Sequence, residues 1–153
     1  MVHLATLYLD RLDAVIFDAG SVVVESEHGV VPYQSSVALA RELRNCAVWT
    51  AVICASHTCA QKLAGTRVDG LFDVRVDGVD VARLGLAELP NPALFEEAAR
   101  RLHVRPARCA VIEDVLTGVE AGYPVPGHTA GTARCRCAAR ATGSGSTGPS
   151  CRC

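Results

Sequence analysis

Two short apolar runs in this chain end in acids. Ala14-Val-Ile-Phe17 is followed by Asp18, and Cys109-Ala-Val-Ile112 by Glu113-Asp114. Apolar runs bounded by polar residues read as strands buried on both faces. The carboxyl ends of parallel strands are where open α/β sheets place their chemistry. Side by side, three carboxylates repel one another, and Mg2+, which prefers hard oxygen ligands, relieves that repulsion. An aspartate held beside such an ion can attack phosphorus and form an aspartyl-phosphate. The same acids read equally well as solvated turn residues or helix caps.

The elements that must position these acids follow in order along the chain. Ala14 to Phe17 is a strand, turned by Gly20-Ser21. Ser21 to Glu27 begins β-branched and ends in charge, and His28 to Gln34 reads as a loop around Gly29 and Pro32. Ser35 or Ser36 caps a helix carrying Val37, Ala40 and Leu43. Ala47 to Cys54 is a second buried strand. Ser56 is placed to cap a short helix that Gly65 stops, and Phe72 to Val76 is a third strand between Asp-Gly turns. Ala82 to Leu89 is ambiguous. Asn91-Pro92 opens a helix with Leu94, Phe95, Ala98, Ala99 and Leu102 on one face. Cys109 to Ile112 is the fourth strand, and Leu116 to Ala121 a short helix. This alternation predicts an α/β fold, a parallel sheet flanked by helices.

Composition bounds the rest. At 153 residues, half of them hydrophobic and a fifth charged, the chain is long enough for one domain with a buried core. A net charge of −1 gives no case for nucleic acid as a partner. No apolar run reaches the length of a membrane span, and Met1 to Asp10 lacks the basic start and cleavage site of a signal peptide. The expectation is a cytoplasmic protein with no membrane partner. Its oligomeric state is not legible. Residues 1–126 form the expected core domain. Residues 127–153, rich in Gly, Ser, Thr, Arg and Cys without large apolar residues, form a tail expected to be disordered.

With these stretches in place, Asp13 to Ser26 and Ala47 to Gly122 resemble the core of the haloacid dehalogenase superfamily, most of all its β-phosphoglucomutase-like phosphatases and mutases. The likeness is carried by Val-Ile-Phe-Asp18, Ala-Val-Ile-Cys-Ala-Ser56, Phe72 to Asp80, Pro90 to Phe95, and Val111-Ile-Glu-Asp-Val-Leu-Thr-Gly-Val-Glu-Ala-Gly122. It implies a Rossmann-like fold and a Mg2+ cofactor held by Asp18, Glu113 and Asp114. It further implies Asp18 as the nucleophile, phosphate binding around Cys54, Ala55 and Ser56, and a small phosphorylated metabolite as substrate.

The departures from that family are specific. Its second Asp, which protonates the leaving group, is Gly20 here. Its phosphate-binding Ser or Thr is Cys54, and its Lys is Leu89. The short span between Glu25 and the helix near Ser35 leaves no room for a cap domain, and the tail replaces the family's last strand. Two readings result. One is a phosphatase or β-phosphoglucomutase-like enzyme of weak activity. The other is a non-catalytic, truncated or frame-shifted relative that at most binds Mg2+ or phosphate. Among weaker signals, Cys135-Arg-Cys137 and Cys151-Arg-Cys153 have zinc-ligand character but no apolar support. Adjacent Ser56 and His57 hint at a nucleophile and base, and Asp77 and Asp80 read as solvated turn acids.

Overall fold

Side chains alternate across β1 (Ala14–Asp18), and that alternation assigns the two layers of the protein. In the computed structural model, residues 9–114, 118, 121, 129 and 130 are described. Val15 and Phe17 face one apolar cluster and Ala14 and Ile16 face another, all of them fully buried. The first cluster receives Val37, Leu39, Ala40 and Leu43 of α1 (Gln34–Asn45) and Leu63 of α2 (Cys59–Gly65). The second receives Leu94, Phe95, Ala98 and Ala99 of α4 (Ala93–Arg101). A strand that buries both faces needs a continuous apolar run, which is what this sequence supplies.

Beside β1 lie β4 (Trp49–Ile53) and β6 (Cys109–Ile112), both parallel to it. With β5 (Val74–Val76) and β7 (Thr129–Ala130) at the edges, the sheet order is β5-β4-β1-β6-β7. At the amino end of β1, Asp13 takes a two-pronged ion pair from Arg108, at 2.6 and 2.8 Å, which ties the start of β1 to the residue before β6. The expected Rossmann-like parallel sheet is therefore present.

Three expectations are corrected. The stretch read as a loop over His28 to Gln34 contains β3 (Gly29–Pro32), which pairs antiparallel with β2 (Val23–Ser26) in a two-stranded hairpin. This hairpin occupies the span between β1 and α1, the place where a cap domain was expected to be missing. The last strand, expected to be lost, is present as the two residues of β7. They pair with Val111 and Ile112 of β6. The free edge of β6 needs backbone partners whatever the side chains are, so pairing there required no apolar run. Finally, neither Ser35 nor Ser36 caps α1. Tyr33 stands at the cap without a side-chain bond, and the Ser36 hydroxyl donates instead to the Ser21 carbonyl at 2.6 Å.

The segment left ambiguous resolves into α3 (Gly78–Leu84) and a loop. Of the short helix expected over Leu116 to Ala121, Gly118 and Ala121 are helical and the other residues lie outside the described set. So do the four tail cysteines and the rest of 127–153 apart from β7.

Candidate active site

Strand register decides which acids meet. Asp18 pairs with Ile53 on one side, and Phe17 pairs with Ile112 on the other. The residue after Ile112, Glu113, therefore comes level with Asp18, and Asp114 follows it. The three carboxylates converge at the carboxyl end of the sheet, with one oxygen of each within 4.8 Å of the others. Glu113 is buried, Asp18 half-buried and Asp114 exposed.

Asp18 caps the tight turn of Ala19–Ser21, and Gly20 N–H donates to its Oδ2 at 2.7 Å. Burial raises the Asp18 carboxyl above its ordinary pKa, and the charge on Asp114 adds to the rise, against the lowering effect of the Gly20 N–H. The Asp114 N–H donates to Glu113 Oε1 at 2.9 Å. Gly118, on the helical turn beyond, lies so close to the Glu113 carboxylate that a Cβ there would collide with it. Three hard-oxygen donors that repel one another suit a hard divalent cation such as Mg2+.

On the β4 side, Cys54 continues the strand backbone, its N–H donating to the Val76 carbonyl at 2.9 Å. Ala55, Ser56 and His57 are exposed beyond it. The Ser56 hydroxyl engages Thr58: it accepts from the Thr58 N–H at 3.2 Å and lies 2.9 Å from the Thr58 hydroxyl. The expected cap role thus gives way to a turn, and α2 begins at Cys59. Gly78 presses on the same loop. A Cβ there would stand 2.6 Å from the Ala55 carbonyl and 2.7 Å from His57 N.

Several contacts were not foreseen from the sequence. Cys54, half-buried at the end of β4, stands near the buried Cys59 that opens α2 in sequence, and its N–H is held by the Val76 carbonyl. Lys62 reaches Glu25 on the hairpin at 2.5 Å, so the chain's single lysine is already paired. Asp77 and Asp80 are not solvated turn acids. Asp77 is buried and forms a reciprocal cap with Asp80 at the start of α3, and Asp80 pairs with Arg101 at 2.7 Å and Arg83 at 2.9 Å. The signal for this was present as Asp-x-x-Asp ahead of Val81. Leu89, at the family's Lys position, packs partly buried against the α4-side core.

The chain matches the haloacid dehalogenase-like hydrolase family over residues 7–123, and it belongs to that family. It is 32% identical over 111 residues to trehalose-phosphate phosphatase of Mycobacterium leprae, covering 72% of this chain and 23% of that one. It is 42% identical over 72 residues to β-phosphoglucomutase of Mycobacterium bovis, covering 47% of this chain and 28% of that one. The chain thus spans less than a third of the length of either relative. Among solved structures, a HAD family hydrolase from Deinococcus radiodurans, with bound phosphate and sodium, superposes with a TM-score of 0.67. It is 22% identical, over 79% of this chain and 80% of that one. Among the described residues, no helix is long and apolar enough to cross a membrane.

Proposed function

We propose that this protein is a Mg2+-dependent phosphohydrolase acting on a small phosphorylated metabolite through an aspartyl-phosphate on Asp18. The observation that carries this reading is the convergence of Asp18, Glu113 and Asp114 at the sheet's carboxyl end. Bound there, Mg2+ would neutralise the three carboxylates and let the phosphoryl dianion approach them. Asp18, oriented by the Gly20 N–H, attacks phosphorus through a carboxylate oxygen as the alcohol leaves. Ala55 and Ser56, exposed beside it, offer backbone N–H and hydroxyl donors to the phosphoryl oxygens. Water then cleaves the acyl phosphate.

Two parts of this scheme are weak in this chain. No carboxylic acid stands at Gly20 to protonate the leaving oxygen, a lack worth about 10²–10⁴-fold in rate. Leu89 supplies no positive charge, and a missing charge clamp costs about 3 kcal/mol of transition-state stabilisation. These two positions favour a second reading, a non-catalytic relative that binds Mg2+ or phosphate only. Hydrolysis of p-nitrophenyl phosphate and hexose phosphates, with and without chelator, tests the first reading. Turnover by the wild type above an Asp18→Asn control supports it. Turnover equal to that control sinks it and leaves the binding protein.

A further inference from the structure

We propose that Lys62 is the phosphate-binding cation of this site, held by Glu25 while the site is empty and transferred to the phosphoryl group when one arrives. The proposal rests on the reading of Asp18 and its neighbours as a phosphoryl site. That site lacks a cation at the family's Lys position, where Leu89 packs partly buried against the α4-side core. Lys62 is the single lysine of the chain.

Topology brings its ammonium to the right end of the sheet. Asp18 and Ile53 are register partners on the parallel strands β1 and β4, so the segments that follow them leave the same end side by side. After Asp18 come the turn of Ala19–Ser21 and then β2, which carries Glu25. After Ile53 come the loop of Cys54 to Thr58 and then α2, which carries Lys62. The Lys62 N–H donates to the Thr58 carbonyl at 3.1 Å, and side chains on a helix lean toward its amino end. The lysine therefore runs back toward the loop that holds Ala55 and Ser56. Its Nζ meets Glu25 Oε1 at 2.5 Å, which joins the two segments beyond the strand ends. Val22 and Val23 below Glu25, and Cys59 and Leu63 beside Lys62, share one buried cluster that fixes both supports.

The pair is suited to exchange. Its side chains are 37% and 67% exposed, and an ion pair so open to water is weak. A phosphoryl dianion carries twice the charge of the Glu25 carboxylate and offers three acceptor oxygens, so the ammonium gains by moving to it. Glu25 is left in solvent, where losing its partner costs little.

The test measures binding of inorganic phosphate to the full chain in Mg2+ by phosphorus NMR titration, so turnover is not needed. Lys62→Gln should weaken phosphate binding about tenfold or more, the loss of one hydrogen bond from a charged donor, and Lys62→Arg should recover most of it. Glu25→Gln breaks the same ion pair but leaves the ammonium, and should bind phosphate as tightly as the wild type or tighter. Unchanged binding in Lys62→Gln overturns the proposal, as does an arginine no better than glutamine. Equal weakening in Lys62→Gln and Glu25→Gln also overturns it, because the pair is then a structural latch alone. A wild type that takes up no phosphate fails at the earlier step: the phosphoryl site is then wrong, and the role of Lys62 falls with it.

Discussion

The Glu113 carboxylate occupies the space that a Cβ at Gly118 would need. A buried acid and the residue five positions on are therefore fitted to each other. Position 118 is restricted by its neighbour's side chain rather than by its own backbone.

Gly118→Ala should accordingly displace Glu113 from Asp18 and Asp114. Overpacking of this kind costs about 1–3 kcal/mol. The check is thermal unfolding with and without Mg2+. The wild type should gain melting temperature on adding the ion, and the variant should gain much less. An unchanged Mg2+ response would show that Glu113 is not needed there.

Asp18→Asn separates stability from chemistry. A carboxyl whose pKa rises on folding binds its proton more tightly in the native state. The metal-free protein therefore gains stability as pH falls through that pKa and loses it as pH rises. Asparagine keeps an acceptor for the Gly20 N–H and removes the charge. At pH 7 without metal the variant should melt higher, by about 2–4 °C for each kcal/mol relieved, while its Mg2+ response disappears. A variant that melts lower would contradict the crowding of charge at this site.

Gly20→Asp asks whether the missing acid limits turnover. A Cβ at position 20 would lie 2.9 Å from Asp18 Oδ2, so the carboxylate end must shift slightly to admit it. If the proposed chemistry holds, hydrolysis of an alkyl phosphate should rise by about 10²-fold or more. p-Nitrophenyl phosphate, whose leaving group needs no proton, should change little. Equal effects on both substrates would rule out a general-acid role for this position.

Gly78→Ala should disturb the Ala55–His57 loop, because here the colliding atoms are backbone and cannot swing away. A loss of about 1–3 kcal/mol is expected, read as a lower denaturant midpoint at unchanged slope.

The acid limb of stability should depend on Glu97. Hydrogen bonds from Arg100, and then from Arg101, hold its carboxyl down at about 2 against the effect of burial. A depressed folded-state pKa contributes stability above the unfolded value of about 4.3, and that contribution fades as pH falls toward the folded one. Melting temperatures from pH 5 to 2.5 should fall less steeply for Glu97→Gln than for the wild type.

The parts of the fold that were legible in the sequence are those whose side chains do one job. β1, β4 and β6 are buried on both faces, so their apolar runs stand out without knowledge of their partners. α4 announces itself through Asn91 and Pro92, although it starts one residue later than a cap at Asn91 predicts: Pro92 stands at the cap, and Asn91 before it accepts from the Ala93 N–H at 3.0 Å. The hairpin was not legible because Val24 and Val31 pair across it yet remain exposed. A two-stranded sheet half in water lacks the burial that gives a strand its pattern. β7 was missed because backbone pairing leaves no mark on side-chain type. At the site, the acids could be picked out because each follows a strand.

β1 carries an aspartate just before it and another at its end, and the two have opposite circumstances. Asp13 is saturated by the Arg108 guanidinium, which holds its carboxyl below the usual range, while Asp18 faces other acids. One strand thus acts as a rod anchored at its ion-paired foot with a crowded acidic tip, and the two ends answer in opposite directions to the same perturbation. High ionic strength should loosen the foot, where the attraction is exposed to salt. It should steady the tip, where salt weakens repulsion.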